Sequence, residues 1–190
     1  MAELWTLRVL VFTLFVVTAL TDENEEDYDF TKLLKKGKKI WVFNTTEPGN
    51  VTCRSDYIEK INGSSVSFRR HFKNISQTSE EELEGNLFNW NHWESPDHTP
   101  YDSMTIKKSD GNEIEEILEF VNDVGTCAVV KVMNIVNSNT DTSGIWRELR
   151  VTNPEGGVDP GSECWKTFDN AVNITSKIGR KWRKAYIDCH

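Results

Sequence analysis

Short segments in which apolar and polar residues alternate dominate the middle of the chain, and turn residues separate them. In residues 65–72, for example, Val66, Phe68 and Phe72 lie on one side and hydroxyl or charged side chains lie on the other. A period of two predicts β-strands, and Asn62-Gly63 predicts a hairpin turn. The eight predicted strands cover residues 40–45, 51–61, 65–72, 83–93, 103–108, 113–121, 126–133 and 144–151.

One helix is predicted on each side of the strands, over residues 29–36 and about 160–172. Gly37 is expected to end the first helix, and Asp159-Pro160 to provide the N-cap and first residue of the second. The residues at helical spacing are Phe30, Leu33 and Leu34 in the first helix and Trp165, Phe168 and Val172 in the second. The second stripe must pack on the sheet. Eight strands without helices between them predict an antiparallel sandwich or barrel. A helix, eight strands and a helix is the order expected of a lipocalin, so we predict an all-β fold, an eight-stranded antiparallel lipocalin barrel whose C-terminal helix packs on the outside.

The first residues are interpreted as a secretory signal peptide. The apolar stretch from Val9 has about twelve residues, too few to span a bilayer, and it ends in small residues at Ala19. We therefore predict a removed signal peptide over residues 1–19, a flexible acidic segment over 20–28 and one lipocalin domain over 29–190. A buried N-terminal helix or a signal anchor is the alternative.

The amino-acid composition excludes several classes of binding partner. The chain has 30 acidic and 22 basic residues, a net charge of −8, which argues against nucleic-acid binding. After residue 20 no segment is apolar enough to cross a membrane, so we expect no membrane partner. We also expect a monomer that binds a small molecule. The histidines lie near no nucleophile motif, phosphate loop or metal-ligand pair, so we expect no enzyme activity, no cofactor and no metal. They are His71, His92, His98 and His190.

The cysteines and glycosylation motifs favour an extracellular protein. Cys53, Cys127, Cys164 and Cys189 form an even set without Cys-x-x-Cys spacing, which favours disulfides over zinc. The count alone leaves three pairings open. Five Asn-x-Ser/Thr motifs each imply a surface position if they are glycosylated. They begin at Asn44, Asn50, Asn62, Asn74 and Asn173.

Several segments between residues 28 and 190 resemble the tick salivary lipocalins, the histamine-binding protein family. They are Ile40–Pro48 with Cys53, Cys127–Val132, Trp146 with Glu148-Leu149, Cys164 with Phe168, and Tyr186–Cys189. Three positions differ: the family's Asp-Ala-Trp helix motif is absent near residues 27–31, Arg150 replaces a Trp, and Ala128 replaces an Asp. The resemblance implies two disulfides, Cys53–Cys189 and Cys127–Cys164. It also implies capture of a biogenic amine, or of a fatty acid, eicosanoid or sterol.

Two strands carry the candidate carboxylates. On residues 113–121 the more apolar face holds Glu116, which is placed inside the barrel with Phe120. On residues 144–151 periodicity alone places Leu149 and its neighbours inside, whereas the family resemblance places Glu148 inside. We adopt the second interpretation. A Glu that faces Arg150 inside the barrel is alternatively a structural ion pair, which would leave the cavity neutral.

The leading hypothesis is a secreted salivary lipocalin that sequesters histamine or serotonin, because a buried ammonium needs a carboxylate and aromatic faces. The predicted ligand-binding residues are Glu148, Glu116, Trp146, Trp41, Phe120 and Phe68. One alternative is a lipid or sterol carrier on the same fold. Another is a glycosylated immune-evasion protein that binds a host protein through its outer surface.

Overall fold

A computed structural model describes residues 28–75, 77–95, 97–135, 144–176 and 181–189. The predicted signal peptide over residues 1–19 lies outside the described residues, as does nearly all of the acidic segment over 20–28. These two boundaries therefore remain predictions. Within the described part of the chain, no helix has both the length and the apolar character needed to cross a bilayer.

Nine strands and two helices make up the described fold, so each of the eight predicted strands has a counterpart, with differences at the ends, and a short ninth is added. In chain order they are α1 (Phe30–Leu33), β1 (Lys39–Thr45), β2 (Val51–Asn62), β3 (Ser65–Asn74), β4 (Gln77–Phe88), β5 (Ser103–Lys107), β6 (Glu113–Val121), β7 (Cys127–Ile135), β8 (Gly144–Val151), α2 (Glu163–Ser176) and β9 (Arg183–Lys184). A 3-10 turn over Trp90–His92 follows β4.

The strands form one antiparallel sheet that closes on itself, which confirms the predicted barrel. Strands β2 to β8 pair in sequence order, and β1 pairs with both β2 and β8. Strand β9 adds to the end of β1, where Arg183 lies opposite Thr45. At one end of the barrel, Phe30 and Leu33 of α1 are fully buried in the inner core, so the helix closes that end.

Strand β4 runs from Gln77 to Phe88, so the predicted range of 83–93 was wrong at both ends. Three consecutive glutamates, residues 80–82, lie opposite the basic residues 69–71 of β3. These cross-strand pairs extend β4 toward its N-terminus, although the polar sequence did not predict a strand there. The strand stops because the side chain of Asn89 accepts hydrogen bonds from the N–H groups of Asn91 and His92, which turns the chain into the 3-10 turn.

The helix ends differ from the prediction. Helix α1 ends at Leu33, earlier than expected, and Gly37 has a φ of 76° in the turn that follows. Helix α2 begins at Glu163, because Asp159 instead accepts a hydrogen bond from the N–H of Gly161. The Oγ of Ser162 accepts from the N–H of Trp165 and caps the helix.

Two apolar cores lie on opposite faces of the sheet. The inner core includes Phe68, Ile106 and Leu118. The outer core lies beneath α2, where Phe168 packs with Leu149 of β8, and this confirms that the helical stripe packs on the outside. The disulfides are Cys127–Cys164, which joins β7 to α2, and Cys53–Cys189, which joins β2 to the C-terminal segment. Both implied pairings are confirmed.

Candidate functional site

The interior of the barrel contains charged side chains as well as apolar ones. Glu116 of β6 and Glu148 of β8 are both 0% exposed. Leu149 and Val151 are buried too, because their face of β8 lies under α2. Periodicity failed on this strand because both faces are buried, and the placement of Glu148 inside the barrel is the correct one.

Arg150 connects the two buried glutamates. Its Nη1 and Nη2 donate to Glu116 at 2.6 and 2.8 Å, in a bidentate pair. Its Nε donates to the Oε2 of Glu148 at 2.8 Å. The guanidinium therefore neutralises both carboxylates through charge-assisted hydrogen bonds.

Two further arginines complete the network. Arg70 of β3 donates to both carboxylate oxygens of Asp56 at 2.8 Å and to Glu116 at 3.0 Å. Arg54 of β2 donates to the other oxygen of Glu148 at 2.6 Å, and Trp146 donates its indole N–H to that oxygen at 2.9 Å.

Three arginines and three carboxylates thus form a neutral set in the barrel: Arg54, Arg70, Arg150, Asp56, Glu116 and Glu148. Burial alone would raise the pKa of Glu148, but the charges of Arg150 and Arg54 outweigh burial and lower that pKa to about 2. The pKa of Glu116 is lowered as well, because Arg150 and Arg70 together outweigh its burial. Both acids are ionised at neutral pH and already have their counter-charges.

A cavity of about 200 Å³ lies above this network, at the end of the barrel opposite α1. It is lined by Glu47, Arg54, Arg70, Phe72, Glu81, Lys108, Ile114, Asn134 and Trp146. Arg54 also donates to Glu47 at 2.7 Å. The Nζ of Lys108 lies 3.7 Å from Glu81, beyond hydrogen-bond distance. The cavity therefore presents two aromatic rings together with carboxylates and cations near the barrel mouth.

The predicted ligand-binding residues are only partly brought together. Trp146 lines the cavity, and Phe68 lies in the inner core beneath the guanidinium of Arg70, at 5.4 Å. Trp41 lies on the outer face instead, in edge contact with Tyr186. Phe120 belongs to the outer core beneath α2. Its placement inside the barrel was wrong, because a bulge beside Leu118 reverses the alternation.

The asparagines of the five glycosylation motifs differ in solvent exposure, since one is buried and four are exposed. Asn44 is 2% exposed and lies in β1 between β8 and β9, so it does not have the surface position that glycosylation requires. The other four asparagines are exposed: Asn50, Asn62, Asn74 and Asn173.

Sequence reasoning missed most of the polar lining of the cavity. One signal was present, because Arg70 alternates with Phe68 and Phe72 on the inward face of β3. Lys108 directly follows β5, and Glu81 lies before the predicted start of β4 at residue 83, so both charged residues look solvent-exposed in the sequence. Among the described residues, no cluster of three or more His, Cys, Asp or Glu side chains is arranged to hold a metal ion.

Neither a protein-family model nor a curated protein sequence matches the chain. Solved structures do match. The siderocalin Ex-FABP aligns with a TM-score of 0.54 at 8% identity, over 80% of this chain and 94% of its own. The chain has the lipocalin fold. Apocrustacyanin C2 aligns with a TM-score of 0.53 at 10% identity, over 88% of this chain and 82% of its own. LTBP1, solved as a complex with LTC4, aligns with this lipocalin-fold chain with a TM-score of 0.52 at 11% identity. The alignment covers 90% of this chain and 94% of LTBP1.

Proposed function

We propose that this protein is a secreted binding protein that sequesters a small aromatic amine, such as histamine or serotonin, without turnover. The observation that carries the proposal is the cavity of about 200 Å³ with aromatic and charged walls. An engineered cavity of roughly 150 Å³ holds one benzene, and drug-sized ligands occupy roughly 300–1,000 Å³. The cavity volume therefore suits one small aromatic ring system with a short side chain.

The carboxylate that receives the ammonium is Glu81 in this proposal, rather than Glu148 or Glu116. Those two glutamates already accept hydrogen bonds from arginines on both oxygens. Glu81 lines the cavity and is partly exposed, and its carboxylate lies 3.7 Å from the Nζ of Lys108. An ammonium group can approach it without displacing a close ion pair, while Trp146 and Phe72 offer ring faces to the ligand.

A lipid mediator with an acidic head is the second candidate. Its support is the set of three cations in the cavity wall, Arg54, Arg70 and Lys108, against two carboxylates. The neighbouring LTBP1 structure contains LTC4. In this case the head would contact Lys108 at the mouth and most of the chain would lie outside the cavity, because 200 Å³ is too small for it.

Secretion is part of the proposal. Two disulfides are typical of proteins that fold in an oxidising compartment. The exposed asparagines of four glycosylation motifs are compatible with that route. Binding of a host protein through the outer surface stays an untested prediction.

Titration calorimetry with histamine, serotonin and leukotriene C4 tests the proposal. We expect an amine to bind, and Glu81→Gln to weaken it about fivefold, equivalent to ~1 kcal/mol for a partly exposed charge pair. Glu82→Gln is the matched control, since Glu82 is the next residue of β4 and lies on the outer face. Absence of amine heat with the wild type refutes the proposal. Binding of leukotriene C4 that Lys108→Met abolishes would establish the lipid candidate instead.

A further inference from the structure

A second concave surface lies on the outside of the barrel, where β4, β5 and β6 meet the 3-10 turn. This groove has a volume of about 680 Å³ and is lined by Phe88, Trp90, Asn91, Trp93, Thr105 and Glu115. Thr105 and Glu115 face each other across β5 and β6, and the residues that flank Glu115 point into the barrel. The groove is therefore separated from the inner cavity by the barrel wall.

Two large aromatic side chains of the groove are left in solvent. Trp93 is 73% exposed and Trp90 is 43% exposed. The segment that carries them is held in place, since the backbone N–H of Trp90 donates to Asp102 at 2.7 Å and Asn89 donates to the carbonyl of Pro100 at 2.9 Å. Exposed aromatic side chains on a fixed segment are typical of a binding surface.

Glu115 supplies a charge that the protein does not neutralise. Its side chain is partly buried, and within the described part of the chain it makes no hydrogen bond or ion pair. In contrast, two other glutamates on the same face of β6 have a cation nearby. Glu113 lies 3.9 Å from Lys107, and Glu119 is paired with Arg147 at 2.7 Å. A partly buried carboxylate beside aromatic rings favours a cation from outside.

We propose that this groove binds a small organic cation with a quaternary or tertiary ammonium group. The ring faces of Trp90 and Trp93 would hold the ammonium by cation–π attraction, and Glu115 would provide the counter-charge. The volume of about 680 Å³ lies in the range of small-molecule sites. The net charge of −8 adds a favourable long-range attraction for cations.

Choline is the probe, and its neutral isostere 3,3-dimethylbutan-1-ol is the control ligand. Binding is followed in two-dimensional NMR through the indole N–H signals of Trp90, Trp93 and Trp146, assigned with Trp→Phe variants. We expect choline to shift the first two signals and the neutral alcohol to leave them in place. Glu115→Gln should weaken choline binding about fivefold. Glu113→Gln, two residues away on the same face and outside the groove, should not change it.

Three outcomes overturn the inference: choline shifts neither Trp90 nor Trp93, the neutral alcohol shifts them equally, or Glu115→Gln binds choline as tightly as the wild type. The signal of Trp146 reports the inner cavity separately. A failure of the outer site therefore leaves the proposed amine site testable, and the reverse also holds.

Discussion

Replacing Arg150 by Met removes the central cation of the buried network and keeps most of the side-chain volume. The change leaves Glu116 and Glu148, both 0% exposed, with only Arg70 and Arg54 as charged partners. The buried set then carries a net charge of −1. Breaking a buried ion pair by removing one partner costs about 3–5 kcal/mol, and we expect Arg150→Met to destabilise the fold by this amount at pH 7.

The destabilisation caused by Arg150→Met should depend on pH and on whether both buried glutamates are still present. Below about pH 5 a glutamate in the variant can take up a proton, so the difference from the wild type should shrink as the pH falls. At pH 7 the double variant Arg150→Met/Glu148→Gln restores a neutral set. It should therefore be more stable than Arg150→Met alone, although the single change Glu148→Gln destabilises the wild type.

Urea unfolding followed by tryptophan fluorescence, with the disulfides intact, measures these differences. Arg147→Met is the matched control, because Arg147 lies on the same strand and forms a bidentate pair with Glu119 at 2.7 and 2.9 Å near the surface. That pair should contribute only about 0–1 kcal/mol. Equal losses for Arg147→Met and Arg150→Met, or additive losses in the double variant, would refute this account of the network.

Three further predictions follow from single residues. Glu148 has a pKa of about 2 against an ordinary value of 4.5, so its stabilisation is present above pH 4.5 and is lost as the pH falls towards 2; urea unfolding across this range should show a loss of roughly 3 kcal/mol from Glu148, to which Glu116 adds because its pKa is lowered as well, and a flat profile would contradict it. Gly125→Ala places a methyl group against the backbone of Lys32 and should cost ~2 kcal/mol more than Gly63→Ala, which has a similar φ but open space; equal melting temperatures would show that the contact yields. Peptide mass spectrometry of secreted protein should find Asn44 without glycan, and an occupied Asn44 would mean that β1 is not buried there.

The fold was largely predictable because strand alternation, turn residues and the helical stripe agreed with one another. Whether a single side chain points into the barrel or away from it was harder to predict. Phe120 follows a bulge in β6, and a bulge shifts the alternation without any sequence signal that marks it. Trp41 alternates regularly with the inward Ile40, and its aromatic character does not indicate that it packs against the outer core. On β8 both faces are covered, so the period of two cannot distinguish the barrel interior from the surface beneath α2.

The charged network could be predicted only in part. A pair between Arg150 and an inward Glu was considered because both lie on β8. Arg70 and Arg54 come from other strands, and their sequence neighbours do not indicate that they meet Glu116 and Glu148. Arginine is mostly exposed in proteins, so only the three-dimensional closure of the sheet reveals that these side chains neutralise one another.

The closure of the barrel also sets the order in which the chain can fold during synthesis. Strand β1 needs β8 as its second partner, and Trp41 lies opposite Val151, about 110 residues later. At roughly 5–20 residues per second, one edge of β1 stays unpaired for about 5–20 s. Nascent chains that end before Gly144 should therefore be cut by protease at sites that the complete chain protects. Cys189 emerges later still, so the Cys53–Cys189 bond stabilises a barrel that has already closed and does not guide its closure.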